Sequence, residues 1–297
     1  MSCKNKNGLY NLQPAGCIVT PGIVQMFIFV PYYKADGSIN GIDLTSSLNE
    51  VAIDALINQT DKNLRWYVTD KVSNFVTERA DPNTESIDGV EYIISEGVRT
   101  MSGDFLSSSA VLAKELNNNS ASEMGVYLVD KANGLTGIIE DKVNLNPIKL
   151  ERNSFGKIVF ATESNVFKVS YSSTWSRLVT DGDVRTLTYD EHQTNLLDKK
   201  GLIDVESKEV VVTTTTVDVD VFIENGDAKG IPFTGLLLAD FTMTNLTTSL
   251  AVVPSAVVEV SDGHYEFTFT AQTALDLGQI DAVKAGFEFA PINFTFA

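Results

Sequence analysis

Along much of this chain, apolar and polar positions alternate with a period of two, the signature of strands buried on one face. The clearest case lies near the C-terminus, where Val217, Val219 and Val221 share one side and Asp218 and Asp220 the other. Strands are predicted over residues 211–222, 234–244, 256–260, 264–270, 282–289 and 291–296, with Ser261, Asp262 and Gly263 forming a tight turn. Six or seven short strands in roughly 90 residues is the pattern of an immunoglobulin-like sandwich. Such a module binds, spaces or decorates more often than it catalyses.

Upstream, the pattern is also strand-rich. Residues 23–30 form a nearly continuous apolar run, and residues 31–40 read as a loop turning at Asp36 and Gly37. Leu48, Val51, Ala52, Ala55 and Leu56 recur at helical spacing behind a capping box of Ser47 and Glu50, which predicts an amphipathic helix over 47–59. Four strands are expected between 63 and 105. The polar stretch 79–90 reads as a long unstructured connection, one that neighbouring molecules would order. A second short helix is predicted over 107–117, with Ser108 or Ser109 as its cap. Next comes a hairpin whose Asn133 and Gly134 suit a type I′ turn. Further strands are expected near 149 and over 157–162, 166–171 and 184–189. Residues 190–206 read as a polar linker containing one helical turn. The predicted layout is an extended arm over 1–22, a β-rich body over 23–204 and a sandwich over 205–297.

Charge sharpens this division. The net charge is −17. Residues 205–297 hold 13 acidic residues against three lysines, a net of −10, and the first 204 residues carry −7. Such surfaces repel nucleic-acid phosphates and anionic lipid, which excludes a protein that wraps DNA. The longest apolar run near the start spans about 8 residues, against the roughly 20 that a membrane helix needs, so no membrane insertion is expected. No signal-peptide pattern is read at the N-terminus, and synthesis in a host cytoplasm is the expectation. Cys3 and Cys17 are the only cysteines and have no histidine near them. They make neither a disulfide framework nor a zinc site.

Catalytic chemistry is not legible. The two histidines, His192 and His264, fall in different segments, so no histidine-based triad or two-histidine metal site forms within one of them. Both are read as exposed. Asp218 and Asp220 resemble an acidic pair of some glycosyltransferases, but the strand period explains them as carboxylates facing water. Asp181, Gly182 and Asp183 could open a calcium loop, but position 192, where the bidentate glutamate belongs, is His192. No catalytic residue, metal or cofactor is assigned. Aromatics and arginines gather in the four-strand stretch. Arg65, Trp66, Phe75, Arg79, Glu85, Tyr92 and Arg99 are therefore the candidate oligomer interface, since these residue types are enriched where proteins meet.

The segment running from Ile53, Asp54 and Ala55 through Arg65, Trp66 and Tyr67 to Gly97, Val98 and Arg99 resembles structural proteins of tailed bacteriophages, most of all the tail tube (major tail) proteins. The strand over 125–130, followed by Asn133 and Gly134, continues the likeness. The pieces around Phe241 and around His264 and Tyr265 look like immunoglobulin-like modules appended to phage tail and capsid proteins. The resemblance implies a mainly β fold: a sandwich- or barrel-like tail-tube body with two short helices, followed by the immunoglobulin-like sandwich. It implies a virion subunit in the tail, forming homohexameric rings that stack into a tube through which DNA passes as cargo. Its partners would be its own copies and other phage tail proteins. The long hairpin and N-terminal arm would bridge rings, with the sandwich outside. The alternatives are another phage structural protein (terminator, neck or capsid decoration), or an adhesin or glycan-binding protein.

Overall fold

A computed structural model describes residues 22–95, 97–105, 110–120, 122–139, 143–152, 156–160, 166–176, 179, 183–223 and 230–297. Apart from Gly22, the predicted arm with Cys3 and Cys17 lies outside these residues. So do Ser108, Ser109, Asp181 and Gly182. The fold is mainly β, with three short α-helices among the described residues. It divides into two compact units, one ending at Gly201 and the other running Leu202–Ala297.

The first unit begins with β1 (Val24–Pro31), β2 (Ile42–Asp43), α1 (Glu50–Ile57), β3 (Tyr67–Val68) and β4 (Val72–Arg79). It continues with β5 (Asn83–Ile87), β6 (Val90–Ser95), β7 (Arg99–Phe105), α2 (Ala110–Asn118), β8 (Met124–Asp130) and β9 (Leu135–Ile138). It ends with β10 (Asn144–Leu145), β11 (Ile148–Arg152), β12 (Lys157–Val159), β13 (Lys168–Trp175), β14 (Val184–Leu187) and α3 (Tyr189–His192). Six strands hydrogen-bond in the order β1, β8, β11, β13, β7, β4, every pair antiparallel. The chain just before β4 then returns to β1. Thr69 N–H donates to the Phe27 carbonyl at 3.0 Å, and Phe27 N–H donates to the Thr69 hydroxyl at 3.1 Å. The sheet thereby closes into a small barrel.

Why residues 26–30 read as continuously apolar is now plain, because a strand covered on both faces needs apolar residues at every position. Phe27 and Phe29 point into the barrel. There Phe27 meets Phe29, Phe75, Phe105 and Tyr171 with ring centroids 5.6–6.0 Å apart. Met26, Ile28 and Val30 point outward into a second core with Ile53 and Ile57 of α1, Trp66, Tyr127, Leu135 and Leu196. Ala113 and Leu116 of α2 join the barrel core.

Three local expectations are corrected here. The cap of α1 is Asn49, whose side chain accepts from Ala52 N–H at 3.0 Å, not Ser47. The buried face of α1 is Ile53 and Ile57, while Val51 is 78% exposed. The helix is apolar almost all round, so its period alone could not choose a face. The turn after β8 is not type I′: only Asn133 takes a positive φ, and the Asp130 carboxylate holds it by accepting from Ala132 and Gly134 N–H at 2.8 Å.

Only a few of residues 190–206 connect the units: the boundary falls at Gly201 and Leu202, and the residues before it pack on the first unit. Leu196 and His192 are fully buried, and Leu197 packs beside them on the second core. The polar residues around them are satisfied locally, as in the Thr188–Glu191 capping box, which disguised a packed segment as a solvated one.

The second unit contains β15 (Ile203–Val212), β16 (Thr216–Ile223), β17 (Ile231–Pro232), β18 (Phe241–Asn245) and β19 (Leu250–Val252). Then come β20 (Pro254–Ser261), β21 (His264–Phe269), β22 (Leu277–Ala282), β23 (Phe287–Phe289) and β24 (Ile292–Thr295). One sheet runs β20, β21, β16, β15, β23, with β17 beside β16; the other runs β19, β18, β22, β24. This is the order of an immunoglobulin-type sandwich, with β23 lying parallel to β15. Val217, Val219 and Val221 face Phe241, Met243, Ile280 and Phe294 across one core. The predicted single strand over 211–222 is broken at its threonines, because the Thr213 hydroxyl accepts from Thr215 and Thr216 N–H and turns the chain. Where a strand was predicted over 234–244, only Phe241–Asn245 is extended, and the predicted 282–289 strand is split by a turn, with Ala282 ending β22 and Phe287–Phe289 forming β23.

Candidate assembly interface

β4 and β7 pair as far as the rung Arg79–Arg99, and one more backbone bond follows, Ala80 N–H to the Val98 carbonyl at 3.0 Å. There the two chains pinch together. A Cβ on Gly97 would lie 1.6 Å from the Ala80 carbonyl oxygen, so no other residue fits. Beyond the pinch, β5 and β6 pair only with each other and project as a hairpin. Its tip is Asp88 and Gly89, at φ +50° and +80°. Two successive positive φ values are what a two-residue type I′ turn requires, and Asp-Gly supplies them cheaply. Five residues of strand carry this element about 17 Å out from the barrel.

The expected unstructured connection over 79–90 is thus corrected: it holds a whole strand, β5, and one side of a hairpin. Its polarity arises because almost every position on both strands is exposed.

The register sorts the side chains. Glu85 pairs with Tyr92 and Ile87 with Val90, which puts these four on one face; Thr84 with Ile93 and Ser86 with Glu91 occupy the other. Ile94 sits at the bulge beside the Asn83–Ser95 rung. One face is therefore three-quarters apolar. Ile87, Val90, Tyr92, Ile93 and Ile94 are each more than half exposed. A two-stranded hairpin is marginal alone in water, and its two outer edges offer unpaired backbone groups for further pairing. Burying what remains exposed of these five side chains would contribute roughly 4–8 kcal/mol, at about half the full burial value each.

The seven candidate residues separate into three groups. Glu85 and Tyr92 face each other across the hairpin, with Arg79 and Arg99 at its root. Arg99 lies over the Trp175 ring, 4.7 Å from its centroid. Phe75 packs partly buried against the barrel core. Arg65 and Trp66 are corrected: they are 4% and 1% exposed and serve the fold. The Arg65 guanidinium donates to the carbonyls of Gln59 and Thr60, the chain that leaves α1, while Trp66 packs on Tyr127. Ile87, Val90, Ile93 and Ile94 were missed. The Asp88-Gly89 dipeptide between Glu85, Ile87 and Val90, Tyr92 was the signal that could have found them.

The histidines also differ from expectation. His192 is fully buried: its Nδ1 accepts from Thr194 N–H at 3.2 Å, so Nε2 carries the proton and donates to the Asn133 carbonyl at 2.8 Å. Burial holds its pKa below the usual value, opposed in part by that carbonyl and by Glu191. His264 is half-buried and lies 2.6 Å from the Asp220 carboxylate. Among the described residues, no three histidine, cysteine or carboxylate side chains are placed to hold a metal ion. No helix among them is long and apolar enough to cross a membrane.

No protein-family model matches the chain, and no curated protein matches it.

Proposed function

We propose that this chain is a structural subunit that assembles with its own copies through the β5–β6 hairpin. The observation that carries the reading is an ordered hairpin with an apolar face and two open edges, with nothing among the described residues packed on it. An element of this kind gains most by lying along another sheet. The resemblance to tail tube proteins of tailed bacteriophages gives the reading its form: stacked rings, a DNA conduit, residence in a virion tail, and the sandwich as an outer module. The net −7 of the first 204 residues suits a conduit, because basic walls would hold phosphate and slow its passage.

Negative-stain microscopy of the purified full chain tests this. Rings or tubes are expected, and Ile87→Asp with Tyr92→Asp should return the protein to dispersed particles with unchanged circular dichroism. Assembly that survives both substitutions would remove the hairpin from the interface. A full chain that stays monomeric at high concentration would remove the function itself.

A further inference from the structure

Among the described residues, three polar atoms inside the barrel find no hydrogen-bond partner: Tyr171 Oη, Ser173 Oγ and Trp175 Nε1. They stand at alternate positions of β13 and so on one face, the face that lines the core with Phe27, Phe29 and Phe105. The three residues are 1%, 4% and 6% exposed. Burial pushes the Tyr171 phenol strongly up, and Ser173 beside it pulls only partly back, so the phenol stays protonated and keeps a donor to place. The indole N–H is a donor only, and each hydroxyl both donates and accepts.

Buried polar groups in native structures are almost always paired, and three orphans in one column are too many to attribute to chance. The chemistry of the column specifies its partner. At least three donors need acceptors, and the described residues packed around them in the core are aromatic and aliphatic. Successive members of the column leave the backbone about 6.6 Å apart, and a water bonded to two of their polar atoms spans up to about 5.6 Å of that with two bonds of about 2.8 Å.

We propose that the barrel holds a short file of ordered water along β13, one molecule shared by Tyr171 and Ser173 and one by Ser173 and Trp175. The file ends at Trp175, over which Arg99 lies at the root of the hairpin, and this is the mouth through which its waters exchange. Water with two or more polar contacts in such a site is part of the fold and is retained.

Two measurements on the full chain decide this. A high-resolution crystal structure should show solvent density within about 3.2 Å of all three atoms. Maps in which the atoms are dry, or bonded directly to protein groups, overturn the proposal. Water-proton magnetic relaxation dispersion should count long-lived internal waters, with two fewer in Ser173→Ala, because that hydroxyl is common to both. Tyr171→Phe should remove one and leave the other, so it answers the question even where Ser173→Ala fails to fold. An unchanged count in a folded variant overturns the file.

Discussion

β1 and β6 are both rich in apolar residues, yet they stand at opposite extremes of burial. In β1, Phe27, Ile28 and Val30 are fully covered, because the barrel lies on one side and α1 on the other. In β6, Val90, Tyr92, Ile93 and Ile94 stand in solvent on both sides. Composition alone does not separate them; what lies beside each strand does. β1 has completed its contacts inside the subunit, whereas β6 has made only those that one neighbouring strand can give.

That contrast can be broken experimentally, and the largest effect is expected at its buried end. Phe27→Ala should destabilise the first unit by about 3–5 kcal/mol, read from urea unfolding, because four aromatic neighbours cannot collapse into the space it leaves. A cost below about 1 kcal/mol would mean the barrel core is not tightly packed. Gly97→Ala is expected to cost about 1–3 kcal/mol by forcing the Ala80 and Val98 strands apart. It should also weaken assembly, since the hairpin would leave the barrel at a different angle. Normal stability together with normal assembly would contradict the pinch.

A pH dependence should be smaller. The folded pKa of His192 is lowered by burial, so the unfolded chain takes up the proton first as pH falls. The stabilisation is complete above about pH 6.5, the unfolded value, and is lost as pH falls from there through the lower folded value. Unfolding midpoints measured from pH 7.5 to 5 should decline in the parent and decline less in His192→Gln. Equal slopes would sink the assignment. The smallest effect on subunit stability belongs to the hairpin pair, Ile87→Asp with Tyr92→Asp, at under about 0.5 kcal/mol each under non-assembling conditions. A larger loss would show that those side chains already support the fold.

Where one face of a strand met water, the sequence was readable. Val217, Val219 and Val221 alternate with Asp218 and Asp220 as half-buried strands must, and β16 is where they predict it. Legibility failed at both ends of the burial scale. In α1 nearly every position is apolar, so Ile53 and Ile57 could not be told from Val51. The hairpin has no buried face to imprint an alternation, and its exposed positions resembled those of an unstructured loop. Arg65 failed for a third reason. A guanidinium normally marks a surface, and only the carbonyls of Gln59 and Thr60, brought close by the chain leaving α1, make a buried one acceptable. The candidate site was therefore half legible: its polar members were named, and its apolar face was not.

The barrel's closure also fixes a schedule. Phe27 pairs with Leu128, about a hundred positions further along the chain, and no nearer strand can cover β1 on that side. At about 5–20 residues per second, a ribosome leaves this apolar run without its partner for roughly 5–20 s. During that interval the run is free to pair with any other emerging strand. Production of this protein is thus most exposed to aggregation before residue 130 has been made, and slower synthesis lengthens that window rather than easing it.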